Sequence, residues 1–144
     1  MNADDLEMAR RFVACKGWAW LPGMQAASKH DDERDCIPYR VIHVYPVGIL
    51  AFAGRLNALG EDEACDIGLS ECVPDLSDAL TRAGLLEVVR RAWGDETVRF
   101  RCTDRGPLPS RWVWDAGEGR AKRTGWDASA LHALLAALEA APGV

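Results

Sequence analysis

Apolar residues recur at helical spacing in three stretches. Over 3–15, Leu6, Ala9 and Val13 share a face, with Glu7, Arg10 and Arg11 off it. Lys16-Gly17 ends that helix, glycine being favoured just past a helix C-terminus. Over 77–93, Leu85, Val88, Val89 and Ala92 form the stripe, and Gly94 stops it. Pro74-Asp75-Leu76-Ser77 supplies a turn and an N-cap, and Asp75 and Asp78 suit the positive end of the dipole. Over 127–141, Leu131, Leu134, Leu135 and Leu138 line up among alanines, with Thr124 or Asp127 as the cap and Pro142-Gly143 as the stop.

Between these stretches the pattern changes to that of strands. Tyr39–Tyr45 (YRVIHVY) is rich in β-branched and aromatic residues, Pro46 breaks the run, and Val47–Phe52 resumes it. A short strand is expected near Asp66–Leu69. In Thr97–Thr103, Val98, Phe100 and Cys102 alternate with Arg99, Arg101 and Thr103, and Trp112-Val113-Trp114 follows a Gly-Pro-Leu-Pro turn. The order α-β-β-β-α-β-β-α predicts an α+β fold, three helices packed on an antiparallel sheet of about four to five strands. With 144 residues, no repeats and no low-complexity linker, the chain reads as one domain over 1–144.

The stretch KGWAWLPGM sets Trp18 and Trp20 beside a Pro22-Gly23 turn. On an extended segment the two rings face one way and together bury several hundred Å2. They either seal the core or, exposed, form a partner site.

Composition narrows the chemistry. The formal net charge is −5, which argues against the whole chain being a polyanion binder. No apolar run is long enough to span a membrane. The acidic opening MNADDLEMARR reads as no signal peptide, so a cytoplasmic location without a membrane partner is expected. Five widely spread cysteines (Cys15, Cys36, Cys65, Cys72 and Cys102) read as reduced thiols. They and the scattered His30, His43 and His132 lack the close spacing of a metal site, and His30-Asp31-Asp32-Glu33 reads as a solvated loop, so neither metal nor cofactor is expected. No GxSxG, P-loop, GxGxxG or HExxH motif occurs, and no nucleophile–base pair can be named, so the chain does not read as an enzyme.

Charge is segregated along the chain. Residues 57–81 hold seven acids (Glu61, Asp62, Glu63, Asp66, Glu71, Asp75 and Asp78) and no Lys or Arg. Residues 97–126 hold seven bases against three acids. Two surfaces with different preferences follow. Glu61, Asp62, Glu63 and Asp66, with Trp18 and Trp20, are the candidate partner-binding residues, the acids imitating phosphates. Arg99, Arg101, Arg111, Arg120, Lys122 and Arg123, interleaved with Trp112, Trp114 and Trp126, are the candidate anion- or nucleotide-binding residues. The plainer reading has those tryptophans in the core and the arginines solvating the sheet.

Three segments carry a resemblance: FVACKGWAWLPGM, VPDLSDALTRAGLLEVVRRAWG and TGWDASALHALLAALEAAP. They resemble a group of short proteins encoded by phages and prophages that repeat FVA-x-x-GW-x-W-x-PGM, PDL-x-D-x-x-T-x-G-LL-x-LVR-x-AWG and a final Ala- and Leu-rich helix. The layout is similar to the phage ABA sandwich domain. The resemblance covers roughly half the chain and carries little of 25–75 and 95–123. Where members of the group have Gly-Cys before the Leu-Leu of the middle helix, this chain has Ala83-Gly84. The resemblance implies a phage accessory protein in the bacterial cytoplasm and supplies no catalytic residues. The expected function is binding and inhibiting a host protein, such as a component of antiviral defence. The alternatives are a homo-oligomer that sequesters a nucleotide signal, or a nucleic-acid binder using the basic stretch.

Overall fold

A computed structural model describes residues 1–28, 39–56, 58–117, 123–127 and 129–142. It is an α+β fold, with three helices and eight strands among the described residues. The chain divides into two compact units, 1–13 with 20–84, and 14–19 with 85–144.

The first unit opens with α1 (Ala3–Ala14), which buries Leu6, Met8, Ala9 and Phe12. The helix ends one residue before Lys16-Gly17, close to the end the sequence predicts. A five-stranded antiparallel sheet follows, comprising β1 (Gln25–Ser28), β2 (Tyr39–Val44), β3 (Gly48–Leu56), β4 (Asp62–Gly68) and β5 (Cys72–Pro74). Their order across the sheet is β4-β3-β2-β1-β5, so β4 and β5 are its edges. Strands β2 and β3 form where β-branched and aromatic residues cluster. The register sets Val41 against Ala51 and Val44 against Ile49, and Val41, Ile49 and Ala51 are fully buried. A bulge between Val41 and His43 leaves His43 opposite Leu50 on the other face, with Asp66 opposite Leu50 on β4. Strands β1 and β5 were not expected from QAAS and CVP. β1 exists because it bridges β2 and β5 in the sheet.

A polar clasp ties the start of α2 (Ala79–Trp93) to this sheet. The helix cap is Asp78, whose Oδ2 accepts the Thr81 N–H at 2.8 Å and its hydroxyl at 2.9 Å. Thr81 is completely buried, and its Oγ1 accepts the Gln25 N–H at 2.7 Å. Arg40 on β2 forks onto both Asp78 oxygens at 2.7 and 2.8 Å, and donates to the Gly23 carbonyl and to Gln25 Oε1. The guanidinium holds the Asp78 carboxyl far below the usual carboxylate range, and the two Thr81 hydrogen bonds act in the same direction. Asp75, also expected at this helix start, instead accepts from Ser77 and from the Gln25 side chain.

In the second unit a three-stranded sheet comprises β6 (Arg99–Arg105), β7 (Leu108–Ala116) and β8 (Arg123–Asp127), in that order. Helix α3 (Ala130–Glu139) packs on β7 and β8 and buries Leu134, Leu135 and Leu138. Its N-cap position is Ser129, whose N–H bonds Asp127; Thr124 lies inside β8. Leu85, Val88 and Val89 of α2 are fully buried, as the stripe requires. The Trp93 indole donates to the Ala137 carbonyl at 2.9 Å and leans on Trp114, ring centroids 6.1 Å apart. Trp114 is buried over Gly125, where an added Cβ would strike the indole nitrogen and lie 2.6 Å from Cε2. Glycine is therefore required there, and β8 is a strand the sequence does not predict.

Two outcomes follow. Asp78→Ala should lose about 2 kcal/mol of unfolding free energy in denaturant titration, since it removes a cap and strands Arg40 and Thr81. Because the folded-state pKa of Asp78 is depressed, its contribution is fully present above the unfolded value of about 4 and declines as pH falls below that, so the variant should lose less stability on acidification than the parent. Gly125→Ala should cost roughly 2 kcal/mol by overpacking against Trp114, read as a lowered Tm.

Candidate functional site

The acidic run is divided by the fold. Asp75 and Asp78 serve the helix start, as above. Of the other five, Glu71 lies in the 3-10 turn before β5, and Glu61 and β4 carry the remaining four, at the edge of the first sheet. Along β4, Asp62, Ala64, Asp66 and Gly68 are exposed, while Glu63, Cys65 and Ile67 are half-buried. Glu61 is exposed just before the strand. Beyond β4 no further strand pairs with it among the described residues. Its outward peptide groups thus form a template for an added strand.

Near the end of β4 the same face is bare. Gly48 and Gly68 are register partners on the face that carries Leu50 and Asp66. Above Gly68 nothing lies within 4 Å of the Cβ position, whereas an added Cβ on Gly48 would meet the Ile67 carbonyl at 2.9 Å. Tyr45 donates its N–H to the Gly48 carbonyl at 2.8 Å and stands at the rim, with its ring edge-on to His43 at 4.8 Å. The result is an open groove of about 410 Å3, lined by Tyr45, Val47, Gly48, Asp66, Ile67 and Gly68. The sequence reading passed over it, since Tyr45 and Val47 were counted only as strand residues. Both are in fact exposed, Val47 at 84%.

Three of the arginine candidates share one face of the second sheet. Arg99, Arg101 and Thr103 pair with Asp115, Val113 and Arg111. Arg99 and Arg101 are exposed and Arg111 is half-buried. Asp115 stands among them, 3.7 Å from the Arg101 guanidinium, and lowers the positive charge of the patch. Arg123 pairs with Ala116, on the opposite face at the end of β8, and is exposed. Arg120 and Lys122 lie outside the described residues, as does His30-Asp31-Asp32-Glu33. The pattern of Phe100 and Cys102 against Arg99 and Arg101 holds in the register. Trp112 and Trp114 fall on the face opposite the arginines, Trp112 half-buried and Trp114 buried.

Of the tryptophans in KGWAWLPGM, Trp20 is buried in the first unit and Trp18 is half-buried in the second. Gly23 takes φ +93°, as the turn after Pro22 requires. Among the described residues no cluster of three or more His, Cys, Asp or Glu is arranged to hold a metal ion, and no helix is long and apolar enough to cross a membrane. The polar clasp of Arg40, Asp78, Thr81 and Gln25 was not legible as a unit, because its members are scattered over 57 positions and no local pattern joins them.

No protein-family model, curated protein or solved structure matches this chain.

Arg99 and Arg101 support no core contact. Replacing both with Ala should therefore change unfolding free energy by less than about 0.5 kcal/mol in denaturant titration, which frees the pair for binding assays.

Proposed function

We propose that this chain is a phage-encoded accessory protein that binds and inhibits a host protein, such as a component of antiviral defence, without catalysing a reaction. The observation that carries the reading is the placement of the acids. Asp62 and Asp66 project from an edge strand whose outer peptide groups face no other strand among the described residues. An extended segment of a partner can add to such an edge through main-chain hydrogen bonds, with alternate side chains giving specificity. Carboxylates along the edge disfavour pairing with a second acidic edge and favour a basic partner. The bacterial cytoplasm, where such a partner resides, is part of the same proposal, and it draws support from the three segments that resemble phage proteins.

A second reading rests on Arg99, Arg101 and Arg111, which share a face of β6 and β7. Such a face suits a nucleotide or a nucleic-acid backbone. Asp115 within the group weakens that reading relative to the first.

The two readings separate in a pull-down of tagged protein from a nuclease-treated bacterial lysate, with Asp62→Lys/Asp66→Lys in parallel. Recovery of one protein by the parent and not by the charge-reversed variant, at equal Tm, is expected. Recovery of only a nucleotide, retained by the variant, contradicts the first reading.

A further inference from the structure

The groove beside β4 has a chemistry of its own. Its floor is the Gly48–Gly68 pair, and so carries no side chain. Among the described residues its single carboxylate is Asp66, and no basic residue lines it. Tyr45 stands at the rim with 41% of its surface exposed, its ring oriented by the edge-on contact with His43. Val47 adds apolar wall. An aromatic ring attracts a cation over its face, a carboxylate pairs with it, and apolar wall accepts a methylene stem. A long basic side chain satisfies all three at once. A small anion is repelled by Asp66, and a purely apolar side chain leaves the carboxylate without a partner.

We propose that this groove receives a lysine or arginine side chain from an extended segment paired to β4, seated on the glycine floor with Asp66 and Tyr45 on either side. The inference rests on the β4 docking reading above and assigns its specificity. An arginine at that position pairs with Asp66 and stacks on Tyr45.

Gly68 makes the test clean. Its φ of −68° is ordinary extended backbone and the space above it is empty, so Gly68→Leu fills the groove without straining the strand. The 15N-labelled full chain would be titrated by NMR with acetyl-Thr-Arg-Val-Arg-Thr-amide, and with the same peptide carrying citrulline for arginine. The expected result is saturable shifts confined to residues 45–48 and 62–68. Binding should be at least about fivefold weaker for the citrulline peptide and for Asp66→Asn, and lost in Gly68→Leu. No shifts at those residues at millimolar peptide, equal binding of the citrulline peptide, or unchanged binding by Gly68→Leu would each overturn the proposal. If Gly68→Leu fails to give a folded spectrum, Asp66→Asn and citrulline decide. The failures are separable. Peptide binding without any lysate partner sinks the inhibitor reading and leaves the groove standing. A lysate partner lost with Asp62→Lys/Asp66→Lys but kept by Gly68→Leu sinks the groove and leaves the edge standing.

Discussion

The first unit depends on the pairing of Arg40 with Asp78. One carboxylate caps α2, receives the hydroxyl of a fully buried threonine, and takes both arms of a guanidinium from β2. The threonine oxygen in turn accepts the first N–H of β1. These groups are interdependent, since removing one leaves buried polar atoms without partners, and that costs more than the bond itself contributes. The clasp thus fixes where α2 begins relative to β1 and β2. It also decides which part of the sheet stays open. Arg40 occupies its face at β2, whereas its register partner Phe52 on β3 is exposed, as are Ala64 and Asp66 on β4.

Six of the seven acids of 57–81 therefore divide by role. Those nearest α2 are structural: Asp78 is ion-paired and Asp75 organises the preceding turn. Those on β4 have a different setting, an edge strand exposed on one face and half-buried on the other. A strand edge needs protection from chance pairing, and carboxylates provide it. On the proposed reading the same charges would select for a basic partner, so protection and recognition would arise from one physical feature.

The helices were legible because each carries a long apolar stripe, and all three occur where the pattern places them, with ends displaced by a few residues. The strands YRVIHVY, VGILAF and TVRFRCT were legible from β-branched and aromatic content. What escaped was set by tertiary pairing. QAAS has no strand propensity of its own and is extended because β2 and β5 flank it. RTGWD contains a glycine that reads as a break, and the glycine is there because Trp114 occupies the space of its side chain. Against the four or five strands the sequence predicts, the described residues form eight in two sheets. For the candidate site, the sequence showed the acids and arginines but could not show which acids lie on an edge. The glycine floor was invisible because its halves, Gly48 and Gly68, meet only through the β3–β4 register.

The account rests on β4 being an open edge, and amide hydrogen exchange on the free monomeric chain tests that most directly. Alternating exchange is predicted along 62–68: every second amide, bonded to β3, is protected, and those between exchange fast, while the amides of 49–52, flanked by both β2 and β4, are protected throughout. Uniform protection along β4 in the free monomer would show the edge already covered, and would contradict the account.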